Sequence, residues 1–243
     1  MRVLYASIIL GLSVIIAFWL AGSAFKYKSK SMETIVVTGL AEKDFISDLV
    51  VWNGSYSRKA MDLKSAYASV KQDENTIRQY LKTKGVAENE MIFSSVVISK
   101  EFENRTEENG KQTTQVFSGY NLTQTVKVES GNVDKIEKIS REVTELIESG
   151  IEFNSSPPFY YNTKLSEVKM DLLARASADA RLRAETIAKN SGSSLGKLRK
   201  ASMGIFQITG KNSNEDYSYG GAFNTSSRNK TGSITIRMEF AAD

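Results

Sequence analysis

The sequence predicts an α+β fold in which an antiparallel sheet carries long helices on one face, in the order ββαββ and then αβαββ. Segments of strand character occur in pairs, and single long helical patterns separate those pairs. This arrangement is typical of antiparallel sheets that are covered by helices on one side. The chain is also long enough to bury a core without disulfides or a metal.

The first half begins with two predicted strands and a helix. Residues 34–39 are rich in β-branched side chains and predict a strand. Residues 44–58 predict a longer strand with apolar side chains on both faces, which indicates cover on both sides near its middle. Residues 62–84 then show a helical period, with Asp62 as the N-cap and Gly85 as the stop signal.

Two more strands and a second helix follow. Residues 90–100 and 115–129 predict strands, and the polar, charged segment 101–114 between them predicts a solvent-exposed hairpin loop. Residues 133–148 predict a helix that ends at Gly150.

The remaining strands lie in the last third of the chain. Residues 151–161 predict a strand that Pro157 and Pro158 interrupt, which indicates an edge or a bend. Residues 197–208 and 233–240 predict the last two strands, the final one with its apolar residues on one face.

The longest helix is predicted at Leu165–Asn190 and ends before Gly192. Alanines recur along it at every fourth position and therefore lie on one face. Small side chains in such a row let a helix approach a sheet or another helix closely. We favour packing inside the subunit, with an oligomer face as the alternative. The alanines are Ala176, Ala180, Ala184 and Ala188.

Residues 210–232 form a long segment of Gly, Asn and Ser without a period, which predicts a mobile loop. Tyr217, Tyr219 and Phe223 are its clustered aromatic residues. They predict a partner-binding loop, and plain disorder is the alternative.

An uncharged apolar run at residues 3–22 predicts a transmembrane signal anchor. A helix of about 20 residues spans roughly 30 Å, the thickness of a bilayer's hydrocarbon core. Trp19 suits a membrane interface, whereas the small residues at 21–24 offer a site for cleavage. We favour a retained anchor. Residues 1–30 are then the anchor with its cationic spacer, and residues 31–243 are one α+β domain.

The charged residues indicate only weakly on which side of the membrane the domain lies, and they argue against nucleic acid as a partner. Arg2 precedes the run and Lys26, Lys28 and Lys30 follow it, which leans slightly towards a cytoplasmic domain. These four residues are the surplus of the 32 basic over the 28 acidic side chains, so the rest of the chain is neutral. A neutral domain lacks the basic footprint that nucleic-acid binding needs.

The composition argues against an enzyme and against a cofactor. The chain has no Cys and no His, which excludes thiol nucleophiles, disulfides, lipid attachment through Cys, the Ser-His-Asp triad and most zinc sites. It has no phosphate-cradling glycine motif. We therefore predict no catalytic residue, metal or cofactor. The following carboxylates are interpreted as turn, cap and solvated-face residues: Asp44, Asp48, Asp62, Asp171 and Asp179.

Five blocks in order carry a family resemblance. The most specific is an alanine-rich helix with the centre Ala178-Asp179-Ala180-Arg181, followed by Leu195-Gly196. The other blocks are residues 35–39, 84–86 with 91–95, 119–128 and 133–153. Together they resemble the SIMPL-domain family of bacterial envelope proteins, a domain of unknown function, from about residue 33 to residue 240.

The resemblance implies an envelope protein that faces the periplasm, self-assembles and is linked to stress tolerance or host immunogenicity. It supplies no catalytic residues. Residues 42–45 stand where many members have a Pro-Asp turn, and the N-terminus resembles an anchor where many members have a cleavable signal. We give the resemblance more weight than the small charge difference. The expected location is the inner membrane with the domain in the periplasm, or the periplasm itself after cleavage.

Three functions are consistent with these observations. The first is a non-enzymatic, membrane-anchored scaffold or stress-protection component that forms homo-oligomers. The second is a binding module that captures a peptide or protein by strand addition, with the loop at 210–232 as a lid. The third, and least favoured, is a hydrolase that uses carboxylates.

Overall fold

The computed structural model describes residues 33–106 and 113–242, together with Gly11, Ser13, residues 15–20 and Gly22. The α+β class and the antiparallel strand pairing are confirmed, but the prediction of one sheet is wrong. Two antiparallel sheets are present in the described part of the chain, and each carries its own helices.

The strands are β1 (Thr34–Ile46), β2 (Leu49–Ala60), β3 (Met91–Phe93), β4 (Val97–Thr106), β5 (Thr113–Ser130), β6 (Phe153–Ser155), β7 (Phe159–Tyr161), β8 (Leu195–Met203), β9 (Gln207–Gly210) and β10 (Asn229–Ala242). The helices are α1 (Leu63–Thr83), α2 (Val133–Glu142) and α3 (Leu165–Asn190), with 3₁₀ turns at Glu88–Glu90 and Val143–Ser149.

The first sheet has four strands in the order β1-β10-β8, and β9 also pairs with β10. Helix α3 packs on one face, mainly over β1 and β10. The predicted apolar face of β10 is confirmed as part of this core, because Ile234, Ile236, Met238 and Phe240 are buried beneath α3 with Leu172.

The second sheet has six strands in the order β3-β5-β2-β6, with β4 beside β5 and β7 beside β2. Helices α1 and α2 cover it, and Asp62 caps α1 as predicted by accepting a hydrogen bond from the Ser65 amide. Trp52 lies fully buried in this core, and its indole N–H donates to the Ser155 hydroxyl. The second sheet therefore has a core of its own.

The chain passes from the first sheet to the second at Ser47 and Asp48. The Asp48 carboxylate accepts two 2.7 Å hydrogen bonds from Thr163, at the start of α3. The Ser47 amide donates to the Arg228 carbonyl at 3.0 Å. The prediction of one strand over 44–58 is therefore wrong: its first residues belong to β1 and the rest to β2. Within β2, Val50 and Trp52 are buried on one face, and Leu49 and Val51 on the other face are half-buried.

Helix α3 approaches β1 over Gly39. A Cβ atom on Gly39 would lie 2.2 Å from the Ala176 carbonyl oxygen and 2.8 Å from the Ala180 Cβ, so only glycine fits there. Ala176, Ala180, Ala184 and Ala188 are all buried on this face of the helix, and the first three belong to the core beneath α3. In this fold the alanine face of α3 contacts residues of the same subunit.

Several predicted boundaries change. The predicted strand at 90–100 is broken into β3 and β4, and the predicted loop at 101–114 is mostly strand, since β4 and β5 extend into it. The tip of that loop lies outside the described residues. The predicted helix at 133–148 is α2 followed by the 3₁₀ turn, which Gly150 ends in the left-handed conformation at φ 73°.

The predicted membrane anchor lies largely outside the described residues. Those of its residues that the structure describes are helical, with Phe18 and Trp19 about three-quarters exposed. Among the helices of the described ranges, none is long and apolar enough to cross a membrane.

Enlarging one of the buried alanines tests this packing. We expect Ala180→Leu to lower the free energy of unfolding by about 1–3 kcal/mol, because the added atoms have no space between α3 and Gly39. Ala178→Leu is the matched control, since Ala178 lies exposed on the same helix, and it should change stability by less than about 0.5 kcal/mol. Urea unfolding followed by circular dichroism measures both. Equal stabilities for the two variants would show that this helix face is open in solution.

Candidate interaction site

The loop between β9 and β10 is held in place by the Gln207 side chain. Its amide oxygen accepts hydrogen bonds from the Ser218 and Ala222 amides, and its amide nitrogen donates to the Ser218 carbonyl. Phe223 forms a parallel β-bridge with Ile208. Contacts of one polar side chain thus connect the loop to the first sheet, and the mobility of the loop stays a prediction.

A second tie joins the two ends of the loop. The Glu215 carboxylate accepts hydrogen bonds from the Gly210 amide and the Asn224 side chain. These two hydrogen bonds lower the pKa of Glu215. Glu215 therefore stays ionised at neutral pH and acts as a fixed acceptor.

Lys230 anchors the loop from beneath. Only 3 % of its surface is exposed, and its ammonium donates to the carbonyl and side-chain oxygens of Asn224. Burial lowers the pKa of Lys230 to about 8. The negative charge of Glu215 acts in the other direction and raises this pKa, but by less. The sequence does not single out Lys230, because lysine is almost never fully buried. It also places 229–232 in the loop, whereas β10 already begins at Asn229.

The ordered loop leaves cavities on both sides of Ile205. The first has a volume of about 240 Å³ and lies beside Leu40, with Tyr217 and Tyr219 at its rim. The second has a volume of about 470 Å³ and lies between Lys169 and Phe223. The structure therefore divides the predicted aromatic cluster, with two tyrosines at one cavity and the phenylalanine at the other.

The three aromatic side chains are open to solvent. Tyr219 is fully exposed, and Tyr217 and Phe223 are more than half exposed. The Tyr217 hydroxyl donates a long hydrogen bond of 3.4 Å to a carboxylate oxygen of Glu42 on β1. Aromatic side chains held on an ordered loop at low entropic cost suit recognition of a partner.

Two of the carboxylates that the sequence singles out, Asp44 and Asp171, are bound by basic or hydroxyl side chains. Asp44 binds Lys211 and Thr231, and Asp171 binds Lys43 and Arg175. These partners lower the pKa of both carboxyls. A carboxylate pair for hydrolysis needs one member with a raised pKa, which neither supplies. Within the described ranges, no group of three or more acidic side chains could hold a metal ion.

The two edges of the first sheet differ in their contacts with α3. On the β1 side, Asp179 of α3 accepts a 2.9 Å hydrogen bond from the Leu40 amide, which would otherwise face outwards. On the β8 side, every residue from 197 to 203 is exposed. The Ala-Asp-Ala-Arg centre thus has a structural role, since Ala180 packs on Gly39 and Asp179 caps the β1 edge.

The buried ammonium of Lys230 makes the free energy of unfolding depend on pH. The pKa of Lys230 is lower in the folded chain than its ordinary value of 10.5, so the unfolded state binds more protons between pH 8 and pH 10.5. We therefore expect the free energy of unfolding of the wild type to rise with pH across this window relative to Lys230→Met. Denaturant unfolding at pH 7, 8, 9 and 10 measures the difference.

The exposed Lys189→Met is the control for this experiment and should follow the wild-type curve. Tyrosine titration affects all three proteins equally and cancels in the comparison. Parallel curves for the wild type and Lys230→Met would contradict burial of the ammonium.

The domain matches a known protein family. No curated protein matches the chain. The family model SIMPL, described as a protein of unknown function (DUF541), matches residues 35–240. The match begins within β1 and ends within β10, so it covers both sheets. The resemblance found in the sequence is thereby confirmed: the chain belongs to the SIMPL family.

Proposed function

We propose that this chain is a non-enzymatic, membrane-anchored SIMPL-domain protein of the periplasm that self-assembles as an envelope scaffold or stress-protection component. The apolar run at residues 3–22 supports the anchor, because it has the length and the lack of charge of a spanning helix. Family membership supports an envelope role. The paired carboxylates support a function other than catalysis.

The observation that carries self-assembly is the open edge of β8. A strand at the edge of a sheet presents unpaired backbone N–H and C=O groups that can pair with another chain. On β8, Leu198 and Met203 are each at least half exposed, and α3 leaves the strand largely uncovered. The β1 edge, by contrast, is capped by Asp179.

Charge restricts how two copies can associate through β8. Lys197, Arg199 and Lys200 lie along this edge. Pairing of β8 with β8 would bring two such clusters together, and like charges facing each other across strands are destabilising. We therefore propose that β8 pairs with a different, more acidic segment of the second copy. Contacts of this heterologous type build rings or fibres.

A second candidate is capture of a peptide from another protein by the same edge. The observation that favours it is the cavity between Leu40, Ile205 and the two tyrosines, close to the end of β8. A strand added to β8 could place a side chain there, because strand addition combines backbone hydrogen bonds with pockets for alternate side chains.

The location is tested by protease treatment of spheroplasts. We expect added protease to degrade the domain while a cytoplasmic marker survives, because the domain faces the periplasm. A periplasmic protein and a cytoplasmic protein of known location serve as controls. A protected domain would contradict the orientation, and a mature N-terminus near Phe25 would contradict the retained anchor.

Self-assembly through β8 is tested by blocking its edge. Arg199 lies at the irregularity where Leu198 pairs with Phe240 and Lys200 with Glu239, so it has no partner residue in β10. Proline is tolerated at such bulges of edge strands but cannot donate a hydrogen bond to an incoming strand. We expect Arg199→Pro to reduce the protein mass of the full-length chain in detergent to that of a monomer, measured by light scattering.

Arg199→Ala is the matched control. It removes the same charge but keeps the amide, so it should assemble like the wild type if backbone pairing drives association. The melting temperature of both variants should stay near that of the wild type, which shows that the fold is intact. A wild type that remains monomeric at raised concentration would contradict the scaffold and favour the peptide-binding function.

A further inference from the structure

The larger cavity beside Ile205 combines apolar walls with one cation. Met203, Ile205 and Phe223 line it, and each is more than half exposed. Clustered exposure of large apolar side chains is uncommon on a soluble surface and marks interaction sites. The volume of about 470 Å³ lies within the usual range of small-molecule sites.

Lys169 is the charged residue of this cavity. It projects from α3 over the ring of Phe206, with its ammonium 5.5 Å from the ring centroid. It forms no ion pair with any described residue, whereas Lys43, also beside α3, is paired with Asp171 at 2.7 Å. An ammonium held over an aromatic ring keeps its remaining hydrogen-bond donors available for an anion.

The cavity is formed before any ligand binds. Gly221 has φ 92°, and a Cβ atom there would lie 2.9 Å from both Ile205 Cγ2 and the Phe206 carbonyl oxygen. The loop wall therefore lies directly against the segment that carries Phe206. Because Gln207 also fixes the loop by hydrogen bonds, little ordering cost remains for binding.

We propose that this cavity binds a single-chain amphiphile with an anionic headgroup. The apolar chain lies against Met203, Ile205 and Phe223, and the headgroup, a carboxylate or a phosphate, accepts hydrogen bonds from Lys169. A cationic amphiphile would face the ammonium and is excluded by like charge. This proposal does not rest on self-assembly. Met203, the last residue of β8, lines the cavity, whereas Ile205 and Phe223 lie beyond that strand.

The test uses the full-length chain in nanodiscs of phosphatidylcholine, with ¹³C-methyl methionine observed by NMR. The Met203 methyl reports on the cavity, and a Met203→Leu variant assigns its signal. Met91, buried in the second core, is the internal reference. This site-specific signal separates binding from partition of the probe into lipid. The probes are octanoate, octyl phosphate, 1-octanol and octylammonium.

We expect octanoate, octyl phosphate or both to shift the Met203 signal saturably while Met91 stays unchanged. Saturation by octanoate alone identifies a fatty-acid headgroup, and saturation by octyl phosphate alone identifies a phosphate headgroup. Lys169→Gln should weaken anion binding roughly tenfold or more, because a charged hydrogen bond is lost. It should leave the weak effect of 1-octanol unchanged.

Lys189→Gln is the control for charge, since it removes a lysine from the far end of the same helix. It should bind like the wild type. Failure of both anions to shift Met203 would overturn the proposal. Equal affinity for octylammonium, or unchanged anion binding in Lys169→Gln, would also overturn it. None of these outcomes bears on the mass of the assembly, which tests the proposed function separately.

Discussion

The close approach of α3 to β1 is the constraint on which the first sheet depends. Gly39 and the buried alanines bring the helix backbone against the strand, and no larger residue fits at Gly39. This contact draws α3 over β1 and β10 and away from β8. At the β1 edge, Asp179 of α3 therefore reaches the Leu40 amide, whereas the residues of β8 from 197 to 203 are exposed. The asymmetry of the domain follows from the size of a few side chains.

A second constraint orders the loop. The segment between β9 and β10 has almost no apolar residue to bury, yet Gln207, Glu215 and Lys230 hold it through hydrogen bonds. Polar groups out of water are costly unless they are paired, so each of these side chains needs the backbone groups that it binds. The loop and its polar supports thus stabilise one another. The three aromatic side chains of the loop stay exposed on this hydrogen-bonded backbone.

The sequence was sufficient for features that depend on local patterns. The helix at Leu165–Asn190, the Asp62 cap, the apolar face of β10 and the family all follow from period, capping chemistry and motif. The division into two sheets was not predictable in the same way. Residues 44–58 read as one strand, because the break at Ser47 and Asp48 lacks a Gly or Pro and depends on partners more than 100 residues away. The hydrogen bonds of the loop were not predictable for the same reason, since they depend on where the side chains of Gln207 and Lys230 lie in the folded chain.

The open edge itself carries features that limit indiscriminate pairing. An exposed strand is a site for aggregation unless charge or a bulge interrupts it. Strand β8 has both, with Lys197, Arg199 and Lys200 along its length and an irregular register at Arg199. These features oppose pairing with a second β8 or with neutral strands, and the same charges favour an acidic segment. In the proposed self-assembly, the residues that oppose aggregation would therefore also select the partner. At the β1 edge, Asp179 of α3 instead occupies one backbone donor, the Leu40 amide.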